Sequence, residues 1–150
     1  MSGRPRAAAA GALAATVWGL LEPLDKRVFG CDYSDIALLG KAVTRGPAWP
    51  LAGFALHACN GAVFGLAFHE LRRRLSLEPR RLALGIALAE HVALYPLSAV
   101  VDRRHPARGE PGVPPLLTNP RAFAQAGARH LVFGLLLGRL ALGRTFESNA

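Results

Sequence analysis

Two histidines set the chemistry available to this chain. His57 and His130 each open the pattern H-x3-G-x3-G, followed by Gly61 and Gly65 in the first case and by Gly134 and Gly138 in the second. Each stands 10 residues after a proline, Pro47 or Pro120. Both fall inside long apolar segments, where an ionisable side chain costs about 3 kcal/mol at the bilayer centre and turns toward protein or water. Glu22, Asn60, Glu90, His91, Tyr95 and Arg129 lie in such segments too. These eight residues are the candidates for ligand binding or proton handling.

Three chemistries fit their types. Imidazoles hydrogen-bonded to a neighbouring helix, to Glu90 or Tyr95, would act as polar glue between helices. Glu90 and His91 could instead titrate beside Arg129 as counter-charge, making a proton- or ion-handling cluster. The third chemistry is ligation. Two histidines at equal depth could supply axial ligands to a haem iron, with glycines one turn away leaving room for the macrocycle. His57, His130 and Glu90 could likewise hold zinc or another divalent metal. Depth supports a shared site. At about 1.5 Å of rise per residue, both histidines lie roughly 15 Å along their helices, and Glu90 enters about 12 Å from the opposite side.

The elements that must carry these residues are apolar segments at 7–24, 48–68, 82–101 and 122–142, each 18 to 21 residues long. A hydrocarbon core of about 30 Å needs roughly 20 helical residues to cross. The expected fold is therefore all-α, a four-transmembrane-helix bundle in one membrane domain, with helices at 7–24, 47–71, 81–102 and 120–142. A soluble bundle would have to expose or pair the same stretches. Sliding the sequence by 73 residues lays Leu21, Pro23, Leu24 and Pro47 on Leu94, Pro96, Leu97 and Pro120, and His57, Gly61 and Gly65 on His130, Gly134 and Gly138. That common offset predicts two helical hairpins, 7–71 and 81–142, as parallel repeats. Removal of 7–24 as a leader would break the repeat, so it is expected to stay. The stripes Gly53, His57, Gly61, Gly65 and Ala126, His130, Gly134, Gly138 give each hairpin a small-residue face for close packing.

The formal charge is +8, and 16 of the 18 basic residues are arginine. These flank the apolar segments rather than forming one stripe with exposed aromatics, so lipid, not nucleic acid, is the expected partner. The termini and the central link, with Arg72, Arg73, Arg74, Arg80 and Arg81, hold nine basic residues, and the two long connections at 25–46 and 103–119, with Arg121 just beyond, hold eight. The dense central cluster, and the acids Asp25, Asp32, Asp35, Asp102 and Glu110 in or beside the long connections, favour both termini in the cytoplasm of a bacterial inner membrane. The first connection should carry a short amphipathic surface helix from Ile36 to Val43. The second, rich in Pro and Gly, should be irregular. Its charged run, Asp102, Arg103, Arg104, His105 and Arg108, is a candidate for lipid phosphates or a partner. Cys31 and Cys59 have no pairing or metal-ligand spacing. Walker A, G-x-G-x-x-G, G-x-S-x-G and zincin patterns are missing, so nothing marks an enzyme.

Three runs carry a resemblance: Pro-Leu-Asp-Lys-Arg at Pro23 to Arg27, His-Pro-Ala-Arg at His105 to Arg108, and Arg-His-x3-Gly-x3-Gly at Arg129 to Gly138. In them the chain resembles a group of small bacterial four-helix integral membrane proteins with no established activity. The resemblance spans most of the chain and implies the four-helix architecture. The functional expectation is a small polytopic membrane protein whose polar cluster binds a small ligand or ion or holds the bundle together, as a small carrier or a component of a membrane complex, with a second copy among its expected partners. The alternative is a membrane haem or metal redox protein using His57 and His130.

Overall fold

The computed structural model describes residues 3–142. Within them the chain is helical, with α1 at Gly3–Phe29, α2 at Asp35–Val43, α3 at Trp49–Arg74, α4 at Pro79–Leu94, α5 at Ser98–Arg104 and α6 at Pro120–Leu142. A single 3-10 turn, Tyr95–Leu97, joins α4 to α5. Pro96 explains that turn. It cannot donate to the i−4 carbonyl, and the helix tightens there instead of stopping. Pro23, by contrast, sits inside α1, which continues to Phe29. The first helix is thus longer at both ends than its apolar core at 7–24.

Among the described residues three helices are long and apolar enough to cross a membrane: Gly3–Phe29, Trp49–Arg74 and the joined Pro79–Arg104. Four were expected. The remaining long helix, α6, has 23 residues but places Gln125 and Arg129 in its middle, which lowers its apolarity. The outer surface of the bundle is greasy. Leu20, Leu51, Val63, Val92, Leu94 and Leu135 are all at least half exposed. Large apolar side chains exposed in this number fit contact with lipid.

α1 and α3 run antiparallel. Successive approaches bring Gly3 to His69, Gly11 to Gly61 and Gly19 to Phe54. The backbones touch along this seam. A Cβ on Gly65 would lie 2.0 Å from the carbonyl oxygen of Ala7, and one on Gly61 would lie 2.4 Å from that of Gly11. Only glycine allows this approach. α4 and α6 pair in the same sense, with Gly134 against Ala83 and Leu84 and Gly138 against Arg80. α1 then packs on α6, while α3 and α4 meet only marginally. At the end that holds Gly3 and Arg80, the centre is apolar, made by Ala10, Phe68, Leu82, Ala83 and Leu137.

The opposite end is closed by the two long connections, which dock on each other as a cap. Tyr33 and Gly112 form a parallel bridge, with Ser34 N–H donating to the Gly112 carbonyl and Gly112 N–H to Asp32. Lys41 and Arg45 both pair with Glu110. Asp102 accepts the N–H groups of Leu116 and Leu117 at 2.8 and 2.9 Å. His105 is buried. Its Nδ1 accepts from Ala107 N–H, so its Nε2 donates to the Leu38 carbonyl at 2.8 Å. α2 starts with Ser34 as N-cap, the hydroxyl accepting from Ala37 N–H. It lies against the start of α3, with Ile36 on Gly53 and Gly40 on Trp49. The expected surface helix is therefore packed inward, because glycines on both helices let the backbones meet.

Candidate functional site

Arg129, in the middle of α6 and 2% exposed, organises the interior. Its Nε and one terminal nitrogen form a two-pronged pair with Asp25 at 2.6 and 2.9 Å. The same terminal nitrogen donates to the Tyr33 carbonyl, and the other reaches Asp35 at 2.9 Å. Glu22 stands 3.5 Å from the guanidinium. The rings of Trp18 and Tyr33 lie about 5 Å from its centre, close enough for cation–π attraction. One arginine thus gathers carboxylates from α1 and α2 onto α6.

Each carboxylate is held locally. Glu22 accepts from the Ser34 hydroxyl at 2.5 Å and from Ile36 N–H at 3.2 Å, which ties the end of α1 to the start of α2. Asp25 accepts from the Gln125 amide at 2.7 Å. Asp35 accepts from the Tyr33 hydroxyl at 2.5 Å. Burial pushes the Asp35 carboxyl up, but the Arg129 guanidinium, aided by His57 and the Tyr33 hydroxyl, outweighs it and holds the group below the ordinary aspartate value. The Tyr33 phenol goes the other way, raised well above its usual value first by burial and then by Asp35 beside it.

Beside this network lies a cavity of about 200 Å³, lined by Asp35, His57, Asn60, Glu90, Arg129 and His130 with Trp18, Phe64 and Phe133 among the apolar walls. This is smaller than the roughly 300–1,000 Å³ of drug-sized ligand pockets, so its occupant must be small. Two of the lining residues each bury a polar atom, Trp18 Nε1 and His57 Nε2, that meets no hydrogen-bond partner in the protein. His130 is oriented by its own helix. Its Nδ1 donates to the Ala126 carbonyl at 2.8 Å, which leaves Nε2 as the atom that takes a proton, 3.4 Å from a Glu90 oxygen.

Of the eight residues singled out from the sequence, five line this cavity: His57, Asn60, Glu90, Arg129 and His130. Glu22 joins it through Arg129. His91 and Tyr95 lie on the far side of His130. The His91 ring packs edge-on against Tyr95 and tilted against His130 and Phe123, with ring centres 4.5 to 5.5 Å apart. The Tyr95 hydroxyl donates to the Leu116 carbonyl at 2.7 Å. Arg129 is counter-charge to Asp25, Asp35 and Glu22 rather than to Glu90 and His91. Among the described residues no three His, Cys, Asp or Glu side chains are grouped to hold a metal ion. His57, His130 and Glu90 share one cavity without making such a set. In the charged run that ends α5 and follows it, Asp102 and His105 turn inward to build the cap, while Arg103, Arg104 and Arg108 stay exposed.

Sequence reasoning missed Asp25, Asp35, Gln125 and Trp18. A signal existed for one of them. Gln125 and Arg129 are four apart on one apolar helix, so they share a face that must meet polar partners. Comparison with family models, curated proteins and solved structures finds no match to the chain, and the site stands on its own residues.

Proposed function

We propose that this chain is an integral membrane protein that crosses the bilayer four times as two like-oriented hairpins, and that its cavity binds a proton or a small cation. It works as a small carrier or as the ion-handling subunit of a membrane complex. One observation carries the binding: three carboxylates, Glu22, Asp25 and Asp35, share the single guanidinium of Arg129, and a fourth, Glu90, faces it across the small cavity that Asp35 also lines. Carboxylates crowded away from water cannot all ionise without compensation, and the surplus is relieved by protons or a bound cation. Arg129 compensates one of them, and the Glu90–His130 pair can share a proton.

The fourth crossing is α6. It is long enough, it exposes Leu131 and Leu135, and its arginine is fully paired inside, so its lipid face stays apolar. The repeat at an offset of 73 residues supports two hairpins of the same sense. Arg72, Arg73, Arg74, Arg80 and Arg81 at one end favour that end, with both chain ends, in the cytoplasm of a bacterial plasma membrane. Arg144, counted on that side, lies outside the described residues.

Proteoliposomes loaded with a pH-sensitive dye test the reading. Under an imposed potential the wild-type protein should acidify the lumen faster than empty liposomes, and Glu90→Gln should remove most of the difference. A wild-type rate equal to that of empty liposomes, for protons and for sodium or potassium, would refute it.

A further inference from the structure

Glu90 lies on the membrane-length helix Pro79–Arg104, yet it is not sealed inside the protein. Its side chain is 38% exposed, and its one ion-pair partner, His130 Nε2, stands 3.4 Å away. A carboxylate at bilayer depth is costly and faces protein, water or a counter-ion. The space beside Glu90 shows what meets it. A second chamber of about 230 Å³ shares Glu90 and His130 with the first cavity as walls. Most of its other walls are apolar or aromatic. On the cap side Tyr33 and Leu116 are buried and close it. Leu94 and Leu97, about one and two turns beyond Glu90, are 50% and 58% exposed on the greasy outer surface. The chamber therefore opens toward lipid, not toward the cap, and carries an acid in its wall.

Charge decides what can enter. Among the described residues lining the two spaces, Arg129 is the only permanent cation. It is 2% exposed and already committed to Asp25, Asp35 and the Tyr33 carbonyl. An anionic head group would meet the carboxylates of Glu90 and Asp35 and no free cation. A primary ammonium brings a positive charge and three donors to an acceptor-only carboxylate. Its apolar tail gains from the same apolar walls that would exclude a hydrated metal ion.

We infer that the second chamber is the tail slot of a site for a lipophilic ammonium, which enters sideways from the bilayer. The ammonium pairs with Glu90. The alkyl chain lies along Leu38 and Val101 and leaves past Leu94 and Leu97 into the lipid. This rests on the cation reading of the cavity given above, and it names the class of that cation.

A long-chain primary alkylamine with a diazirine on its tail tests the site. The full chain is irradiated with this probe in nanodiscs of neutral lipid, and adducts are mapped by peptide mass. They should concentrate on residues 94–101 and on Leu116. Excess unlabelled alkylamine should remove them, while an alkylsulfonate of equal length should not. Glu90→Gln should lower the yield at sub-saturating probe about tenfold, the order expected for losing one charge-assisted hydrogen bond. Leu97→Trp, at an exposed position, blocks the opening and should also suppress the adducts, and it decides the matter if Glu90→Gln fails to fold. Adducts spread evenly over the lipid-facing surface, equal competition by the sulfonate, or yields unchanged in the variants would overturn the site. Labelling at 94–101 that depends on Glu90, without Glu90-dependent proton flux, would keep the amine site and remove the proton reading. Flux without such labelling would remove the amine site alone.

Discussion

Replacing Arg129 by leucine should be among the most damaging single changes in this chain. The guanidinium makes four hydrogen bonds of 2.6 to 2.9 Å, three of them to Asp25 and Asp35. A buried ion pair adds little net stability when intact, because desolvation offsets attraction. Its removal is another matter, since Asp25, Asp35 and Glu22 would lose their only shared cation. Breaking a buried pair by deleting one partner costs about 3–5 kcal/mol. At roughly 2–4 °C per kcal/mol for a chain of this size, Arg129→Leu should lower Tm in detergent by about 10 °C. The cost should sit in the orphaned carboxylates rather than in the lost arginine. Adding Asp25→Asn and Asp35→Asn to Arg129→Leu should therefore recover part of the loss, although each Asn change alone is destabilising. Thermal unfolding of the purified single, double and triple variants measures this non-additivity. An Arg129→Leu protein that melts within 2–3 °C of wild type, or carboxylate changes that only add to the damage, would refute the reasoning.

The glycine seam gives a second test: Gly65→Ala should cost about 3 kcal/mol, since its Cβ would press on the Ala7 carbonyl, whereas Gly85→Ala, with nothing within 4 Å, should be neutral or slightly stabilising in the same melting assay. A pH series supplies a third. The Asp35 carboxyl is held below its ordinary 3.8, so its stabilisation is complete above that value and fades as pH falls through the lower folded value. Thermal stability should accordingly drop on the acid side of about pH 4, and Asp35→Asn should flatten that limb while lowering stability at neutral pH. In the cap, Asp102→Ala strips acceptors from two N–H groups and should cost about 1–3 kcal/mol, read as faster hydrogen exchange at Leu116 and Leu117.

Much of the helical layout was legible because long apolar runs and prolines are local signals. Pro120 does open the helix of His130, the helix of His57 starts two residues after Pro47, and Pro96 does mark a break. The glycines at four-residue spacing identified the faces along which α1 meets α3 and α4 meets α6. The site was legible only in part. Arg129 and the histidines stood out as polar residues in apolar helices, but their partners did not. Asp35 read as a loop residue, because nothing local says that α2 turns inward and carries its first carboxylate to the centre. Asp25 read as the end of a helix that in fact runs on to Phe29. The cap was hidden for the same reason. The bridge of Tyr33 to Gly112 and the bond of His105 to Leu38 join residues 67 or more positions apart, and no periodicity encodes such pairs.

Proton uptake by the purified protein tests the central claim most directly. Wild type, Glu90→Gln and His130→Phe are titrated in detergent against an indicator dye between about pH 5 and 8. The carboxylate-rich cavity predicts that wild type takes up about one proton per chain more than either variant as pH falls across that range. Superimposable titrations of the three folded proteins would contradict it, and would leave the Glu90–His130 pair as a packing contact between α4 and α6.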